Sequence, residues 1–252
     1  MEELKRLAEK PDYKSTLIDY LRIEWEEYMI YGGYPAIITE PDKQEKISRL
    51  QEIRDSFVKR DILESGVKNE SAFYNLFWIL AGQTGNLINV QELSSTLRIK
   101  NETVANYLNI MQKCFLIVLI KPFYRNLRNE LVKMPKVFFL DTGLKNCLLN
   151  NFQPLSVRTD KGELWENTVF RILADKMGLD EIKYWRTSAG NEIDFVLSDN
   201  DRFKAIEVKY DHNQVNLRKY KLFTQTYPDI PLQFFWLNPF DQDFFRRIYL
   251  NI

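Results

Sequence analysis

The sequence predicts an α+β protein in which a largely helical N-terminal half precedes an α/β domain with a mixed central sheet. The first half is predicted to be helical because its apolar residues recur at spacings of three and four. After residue 160 the pattern changes to a helix, three strands, a helix and a fourth strand, an order that places helices around a sheet. With 252 residues, 45% of them hydrophobic, the chain has enough apolar material for one large or two small domains.

The charge and the rare reactive residues exclude several classes of site. Lysine plus arginine and aspartate plus glutamate both number 35, so the net charge is zero and any nucleic-acid site must be a local basic patch. The one histidine, His212, makes a histidine-rich metal site, a Ser-His-Asp triad or a Cys-His dyad hard to build. Cys114 and Cys147 are isolated, which is typical of buried free thiols in a reducing cytosol.

The sequence predicts neither a membrane span nor a secretory route. The first five residues are charged and helical in pattern, unlike a signal peptide. The longest apolar run, residues 115–120, is far too short to cross a bilayer. We therefore expect a cytoplasmic protein.

Residues 1–70 are predicted to form a helical region. Leu17, Tyr20 and Leu21 follow a helical rhythm, which a turn at residues 32–35 interrupts. A second helix is predicted through residues 47–58, and it ends near residues 59–61.

Residues 71–145 are predicted to form a winged helix-turn-helix. Helices are expected at residues 73–81, at residues 90–97 and from Asn101, a good N-cap, to residue 113. Strands at residues 114–120 and 136–140 follow, with a basic stretch between them. Helix, short helix, turn, helix and hairpin is the order of elements in that motif.

The predicted winged helix-turn-helix either binds DNA or only packs. Its predicted recognition helix presents asparagines, which can read adenine edges, but Glu102 opposes contact with phosphate. The predicted wing is more basic, and the cations that we expect to contact DNA are Lys121, Arg125, Arg128 and Lys133. A solvated hairpin explains the same charge pattern.

Residues 146–252 are predicted to form the α/β domain. Its predicted elements are a helix at residues 162–177, strands at 182–186, 192–197 and 204–210, a helix at 215–226 and a strand at 232–237. Residues 141–155 have the pattern of a connector that opens with a short helix. This order predicts a mixed sheet with helices on its faces.

Two of these strands carry acids at central positions. Alternation places Glu207 and Lys209 on one face of the later strand. In the earlier strand it places Glu192, Asp194 and Val196 on one face. The residues of the opposite face are Ile193, Phe195 and Leu197. Charged groups inside a sheet are costly unless they are paired or bound to a cation.

These acids are predicted to form a Mg²⁺ site. Asp194 and Glu207 would bind the metal, which takes oxygen ligands and commonly one or two carboxylates. Lys209 would orient the attacking water or stabilise the phosphorane charge, and the metal would lower the pKa of the water. Glu166, on the apolar stripe of the preceding helix, would add a ligand or orient a metal-bound water, and Glu192 is an auxiliary acid. An E-x-K pattern on a strand is also common in surface pairs.

Two segments resemble a nuclease superfamily. They are Gly-Asn-Glu-Ile-Asp-Phe-Val at residues 190–196 and Ala-Ile-Glu-Val-Lys at residues 205–209. They resemble the PD-(D/E)xK nucleases, which carry an acid on one strand and E-x-K on the next. The resemblance implies a restriction-endonuclease-like fold and metal-dependent cleavage of DNA.

A second resemblance covers nearly the whole chain. Its motifs are Tyr-Gly-Gly-Tyr-Pro at residues 31–35, Lys-Arg-Asp-Ile at 59–62, Phe-Phe-Leu-Asp-Thr-Gly-Leu at 138–144, Leu-Trp-Glu-Asn at 164–167 and Tyr-Trp-Arg-Thr at 184–187. Together they resemble the C-terminal half of a prokaryotic AAA-type ATPase family, a domain of unknown function that follows the ATPase core. The resemblance implies that an ATPase core, in the full-length protein or a homologue, is a partner.

The sequence departs from that family in one respect. It contains no G-x-x-x-x-G-K-[ST] and no acidic strand of Walker B type, so we expect no ATP hydrolysis from this chain alone. ATP is expected only where an ATPase core is supplied. In related signal-transduction ATPases a Gly-x-Pro turn touches the nucleotide base, which implies that Gly33 and Pro35 line the nucleotide site of an intact protein.

Three interpretations of function follow from the sequence. The first is DNA binding with Mg²⁺-dependent phosphodiester hydrolysis. The second is a catalytically inactive regulatory or protein-interaction module of an ATPase, and the third is a structural remnant of a shortened gene. A fold does not by itself choose among them, and the sequence leaves the oligomeric state open.

Overall fold

The protein divides into two compact units, each made of separate stretches of chain. The computed structural model describes residues 15–64, 67–124, 134–200 and 202–236. We call the unit formed by Glu27–Leu119 and Met134–Arg158 the helical unit. The sheet unit combines Met1–Glu26, Ile120–Lys133 and Thr159–Ile252. The boundary predicted between residues 145 and 146 falls inside a helix of the helical unit, and the units separate after Arg158 instead.

Three helices open the described chain, and the apolar periodicity predicts the first and the third of them but not the short second one. They are α1 (Ser15–Tyr31), α2 (Pro35–Ile38) and α3 (Lys43–Glu64). The predicted turn at residues 32–35 is present, and Gly32 supplies the positive φ of 82° that it requires. Pro35 occupies the first turn of α2, where its missing N–H costs no hydrogen bond.

The next part of the helical unit has the predicted order of elements. Its members are α4 (Glu70–Gly82), α5 (Val90–Leu97), α6 (Asn101–Lys113), β1 (Ile117–Ile120), β2 (Lys136–Phe139) and α7 (Thr142–Leu149). Apart from small shifts in the bounds of α4 and β2, two details differ from the prediction. Lys100, not Asn101, is the N-cap of α6. The strand β1 starts at Ile117, because residues 114–116 form a turn in which Phe115 adopts a left-handed φ of 56°.

Aromatic pairs fill the core of the helical unit. Phe77 of α4 stacks on Phe139 of β2 with 5.5 Å between ring centroids. Phe73 meets Tyr107 of α6 edge to face at 5.2 Å, a geometry favoured by the aromatic quadrupole. Both pairs belong to one buried apolar cluster that draws on α4, α5, α6, both strands and α7.

The C-terminal end of α1 packs closely on α7. A Cβ atom added at Gly143 would lie 1.9 Å from the carbonyl oxygen of Tyr31, so only glycine fits there. The last carbonyls of a helix lack partners within the helix. Here the side-chain amide of Asn146 donates to the carbonyls of Met29 and Ile30 at 3.0 and 2.7 Å.

The sheet unit has the predicted α-β-β-β-α-β order. Its elements are α8 (Lys161–Lys176), β3 (Ile182–Arg186), β4 (Glu192–Asp199), β5 (Arg202–Lys209), α9 (Lys221–Thr226) and β6 (Leu232–Trp236). The strands lie side by side in that order, antiparallel except for the parallel pair β5 and β6, so the sheet is mixed. In place of the helix predicted at 215–226, the structure has a 3₁₀ turn, Leu217–Tyr220, followed by the shorter α9, and another 3₁₀ turn, His212–Gln214, precedes this segment.

The segment at residues 121–124 belongs to the edge of this sheet. Pro122 bridges to Tyr184 of β3, and the N–H of Tyr184 donates to the carbonyl of Lys121 at 3.1 Å. Phe123 is buried against Phe203 and Tyr227, with centroid distances of 5.1 and 5.4 Å.

Helices cover the two faces of the sheet. On one face Phe170 of α8 stacks on Phe195 of β4, at 6.4 Å between ring centroids. On the other face Trp185 of β3 packs edge to face on Phe223 of α9 at 5.1 Å. No helix among the described residues is long and apolar enough to cross a lipid bilayer.

The prediction that side chains alternate strictly between the two faces along β4 is wrong. Ile193 and Val196, predicted on opposite faces, both lie in the apolar cluster on the α9 side. The pairing of β3 with β4 shifts register between Lys183 and Trp185, so β4 accommodates one extra residue around Asp194. Such a bulge locally changes the direction of the side chains.

Candidate functional site

Asp194 lies where the pairing of β4 with β5 stops. The last paired residues are Phe195 and Ile206, and one further step places Asp194 opposite Glu207. There the N–H of Val208 donates to Oδ2 of Asp194 at 2.7 Å. The carboxylate therefore takes the place of a main-chain partner, and it is buried, with 8% of the residue exposed.

Glu207 is the most enclosed acid of the site, with 4% of the residue exposed. Its Oε1 accepts hydrogen bonds from the hydroxyl of Tyr220, at 3.0 Å, and from Nζ of Lys209. Its Oε2 is buried and has no hydrogen-bond partner among the residues that the structure describes. One oxygen of this carboxylate is thus fixed and the other remains available.

Lys209 joins the two acids. Its Nζ lies 4.0 Å from Oδ2 of Asp194, forms an ion pair with Glu207, and donates to the carbonyl of Val208 at 3.0 Å. Glu207 and Lys209 are two residues apart on β5 and therefore share a face. The three side chains that the sequence predicted to meet do lie together.

The proximity of these groups changes their protonation. Burial and, after it, the negative charge of Asp194 raise the pKa of Glu207 to about 7, against the opposing effects of Lys209 and Tyr220. Burial lowers the pKa of Lys209, but the charges of Asp194, Glu207 and Tyr220 and the hydrogen bond to Glu207 together raise it above its ordinary value. Burial and the charge of Glu207 raise the pKa of Tyr220 to about 12, so its hydroxyl remains a donor.

The charge balance of the cluster indicates what it can bind. Two carboxylates against one ammonium leave an excess negative charge when all three groups are ionised. An opposite charge near a buried carboxylate stabilises its ionised form. A bound cation would therefore lower the pKa of Glu207 and give its unbonded Oε2 a partner.

The two other acids that the sequence predicted for the site are Glu192, on β4, and Glu166, on α8. Glu192 pairs with Arg186 across β3 and β4 at 2.5 Å. Glu166 is half-buried on α8, whose Phe170 packs on the face of the sheet opposite Tyr220. Among the described residues no three histidine, cysteine, aspartate or glutamate side chains form a group that could hold a metal. The roles of Glu166 and Glu192 stay predictions.

The predicted DNA contacts are only partly described. Lys121 is exposed, as a contact with phosphate requires. Arg125, Arg128 and Lys133 lie outside the described residues. Their role stays a prediction.

Gly33, one of the two residues predicted to contact nucleotide, forms a hydrogen bond within the helical unit. The N–H of Gly33 donates to Oδ2 of Asp141 at 2.7 Å, and the same carboxylate caps α7 by accepting from the N–H of Leu144 at 2.8 Å. Pro35 is exposed at the start of α2. These contacts explain why the two motifs occur together, and a contact of Gly33 or Pro35 with nucleotide stays a prediction.

Tyr220 is the site residue that the sequence did not reveal. It lies at the end of a 3₁₀ turn, Leu217–Tyr220, which the sequence pattern assigned to a helix. Apolar periodicity identifies such a tyrosine as a core residue, and it is buried, with 4% of the residue exposed. The only available signal was that a buried tyrosine hydroxyl needs a polar partner.

Comparison with known families gives two matches, and the gap between them contains the point after Arg158 at which the sheet unit resumes. Residues 22–155 match the family described as a domain of unknown function, DUF8612, over more than half of the chain. The chain belongs to the DUF8612 family. Residues 161–248 match a second domain of unknown function, DUF4143. The DUF8612 match contains the helical unit up to residue 155, and the DUF4143 match contains the Asp194, Glu207 and Lys209 cluster.

Several curated proteins are similar to this DUF8612 protein. An uncharacterized protein of Mycobacterium tuberculosis is 26% identical over 181 residues, 71% of this chain and 41% of the relative. One from Haemophilus influenzae is 28% identical over 211 residues, 81% of this chain and 50% of the relative. One from Methanocaldococcus jannaschii is 26% identical over 227 residues, 87% of this chain and 48% of the relative. The chain thus spans half or less of these relatives, and no solved structure matches it.

Proposed function

We propose that the sheet unit is a PD-(D/E)xK-like domain that hydrolyses phosphodiester bonds in DNA with the help of Mg²⁺. The observation that carries this proposal is the cluster of Asp194, Glu207 and Lys209 on adjacent strands. A buried carboxyl with a raised pKa, such as that of Glu207, beside a second acid and a lysine is more common at functional sites than elsewhere.

The donor set fits Mg²⁺. The unbonded Oε2 of Glu207 and the carboxylate of Asp194 are hard oxygen ligands, which this ion prefers. Mg²⁺ commonly uses one or two carboxylates and takes its remaining ligands from water and phosphate, so a pair of acids is sufficient. When bound, the ion would polarise a phosphoryl oxygen and lower the pKa of a water molecule.

The residues of the chain have separate tasks in this proposal. Asp194 is held by the backbone N–H of Val208 and so presents its carboxylate in a fixed position. Lys209 keeps its proton, because its pKa is raised, and therefore serves as a donor to a phosphoryl oxygen and not as a base. Preorganised donors of this kind stabilise charge that develops in the transition state.

We further propose that the helical unit contacts DNA as a winged helix-turn-helix. Its α4, α5, α6, β1 and β2 follow the order of that motif. Leu87, between α4 and α5, forms an isolated antiparallel bridge to Lys136 of β2, beside the two-stranded hairpin. Asn101, Asn106 and Asn109 are exposed on α6, where they are available to base edges.

The resemblance to AAA-type ATPases supports a second part of the proposal. We propose that an ATPase core, in a longer protein or a homologue, works together with these two units. The relatives are about twice as long as their matched regions, which leaves room in them for a further domain. ATP would act through that core.

One observation favours a different function, a non-catalytic interaction module. Phe115 and Trp78 of the helical unit are 72% and 53% exposed. Exposed aromatic side chains are enriched in protein interfaces. This alternative requires no cation at the Asp194 and Glu207 pair.

Measurements of metal binding and DNA cleavage distinguish the nuclease proposal from the interaction module. Calorimetric titration of the 252-residue chain with Mg²⁺ or Mn²⁺ should show binding at millimolar concentration or below, lost in Asp194→Ala. Nicking of plasmid DNA should require the metal and disappear in Lys209→Ala. If the wild type binds no metal, the catalytic proposal is wrong and the interaction module becomes the better account.

A further inference from the structure

We propose that Tyr220 is a positioning residue of this site, which fixes Oε1 of Glu207 so that Oε2 faces the cation. The inference rests on the proposed metal site and names a residue outside the strands that carry the acids. Its geometric basis is the 3.0 Å hydrogen bond from the tyrosine hydroxyl to Oε1, together with the buried, unbonded Oε2.

The local sequence places this hydroxyl with little freedom. The side chain of Asn216 accepts from the N–H of Arg218 at 3.1 Å and so caps the turn that ends at Tyr220. The ring of Tyr220 packs edge to face on Phe234 of β6, with centroids 5.2 Å apart. A ring enclosed by its neighbours cannot rotate away from its acceptor, because alternative rotamers would collide with the packed core.

The choice of acceptor is informative. A buried tyrosine needs one acceptor, and a main-chain carbonyl would serve without any charge. Tyr107 in the helical unit does this, since its hydroxyl donates to the carbonyl of Asn69 at 3.2 Å. Tyr220 instead donates to a carboxylate, and a hydrogen bond to an ionised group is stronger and more directional.

The two donors on Oε1 determine which oxygen remains. Lys209 and Tyr220 both bond Oε1, so the carboxylate is held from two directions on the same atom. Without the hydroxyl, Lys209 alone would hold Glu207, and rotation of the carboxylate could bring either oxygen to the ammonium. Outer partners of metal ligands commonly contribute about 10- to 100-fold to metal affinity by restricting such rotation.

The test measures Mn²⁺ binding to the full 252-residue chain, with the Kd taken from calorimetry and the folded fraction from thermal melting. Tyr220→Phe removes only the hydroxyl, and we expect its Kd for Mn²⁺ to rise about 10- to 100-fold. Tyr227→Phe removes a hydroxyl from the same apolar cluster and is the matched control, for which we expect the Kd of the wild type. Measurement of Kd on folded protein separates positioning from a loss of stability.

The outcomes distinguish this inference from the proposed function. If the wild type binds Mn²⁺ and Tyr220→Phe binds it equally well, Tyr220 is a core residue only and the metal site stands. If the wild type does not bind Mn²⁺ at millimolar concentration, both ideas are wrong.

A second measurement on the wild type covers the case in which Tyr220→Phe does not fold. Addition of Mg²⁺ should change the environment of the Tyr220 hydroxyl and so produce a tyrosine band in the ultraviolet difference spectrum. Asp194→Ala should lack that band. A wild-type protein that binds Mg²⁺ with no tyrosine band would overturn the positioning role.

Discussion

The N–H of Val208 donates to the carboxylate of Asp194 over 2.7 Å, although 14 residues separate them in the chain. The bond forms at the end of the regular pairing between β4 and β5, next to the bulge in β4. The strand that carries Glu207 and Lys209 therefore holds the other acid through its own backbone. This arrangement brings two negative charges together before any cation is bound.

Replacement of Asp194 by asparagine should lower the pKa of Glu207 towards its ordinary range. Asparagine retains an oxygen that can accept from the N–H of Val208, but it removes the negative charge that raises this pKa. Carboxyl ¹³C NMR titration of Glu207 in metal-free protein measures the change. Glu192→Gln, which removes a carboxylate already paired with Arg186, should leave the titration unaltered. Equal titration curves in the wild type and Asp194→Asn would contradict the electrostatic coupling.

The raised pKa of Glu207 predicts how stability depends on pH. This pKa is about 7 in the folded chain against an ordinary value of 4.5, so the folded state holds the proton more tightly than the unfolded state. The stabilisation of the folded state by this bound proton is fully present below pH 4.5 and is lost as the pH rises to 7. Glutamine cannot ionise, so Glu207→Gln should gain on the order of 3 kcal/mol over the wild type between these limits.

Urea denaturation at pH 4.5 and pH 8 in the presence of EDTA tests this prediction. The difference in free energy of unfolding between Glu207→Gln and the wild type should be larger at pH 8. Parallel pH profiles for the two proteins would show that Glu207 titrates normally in the folded chain.

The contact between α1 and α7 predicts that alanine substitutions at two glycines will differ greatly in their effect on the free energy of unfolding. Gly143 and Gly162 both occupy the first turn of a helix. A Cβ at Gly143 would collide with the carbonyl oxygen of Tyr31, whereas one at Gly162 meets no atom within 4 Å. Gly143→Ala should therefore cost about 1–3 kcal/mol or more, and Gly162→Ala should be neutral or stabilise by up to about 1 kcal/mol. Thermal or urea denaturation of the two variants that gave equal stabilities would refute the close approach.

The exposed cations beside Tyr220 should contribute to DNA binding if the proposed function is correct. Arg218 and Lys219 are exposed on the turn whose last residue reaches Glu207. Replacement of both by alanine should weaken DNA binding and reduce the slope of log affinity against log salt by about 2, since each phosphate contact contributes about 1. Arg202→Ala is the control, because Arg202 lies about 23 Å from Lys209 along β5 at about 3.3 Å per residue. An unaltered slope in the double variant would remove DNA from this turn.

Much of the fold could be predicted because periodicity is a local signal. The bounds of α5 and β3 agree with the prediction, and α8 differs by one residue at each end. Alternation along β5, with the adjacency of β4, also predicted that Asp194, Glu207 and Lys209 would meet. The chemical roles assigned to these residues stay predictions.

The remaining features depend on contacts between distant residues. The bulge at Asp194 arises from the register that β3 imposes on β4, which no count along β4 reveals. The 3₁₀ turn before α9 has the same apolar spacing as a helix over so few residues, so the pattern did not single out Tyr220. The N-cap of α6 shifted by one residue because Lys100 already has the extended backbone of a cap.

The edge contact of residues 121–124 has a consequence for expressing parts of this protein. A fragment that starts at Thr159 would contain all of the sheet strands but would lack Pro122 and Phe123, which cover β3 and fill the adjacent core. An uncovered strand edge next to a cavity invites intermolecular pairing. Such a fragment should aggregate, whereas supplying residues 120–133 as a separate peptide or by circular permutation should restore a well-behaved monomer.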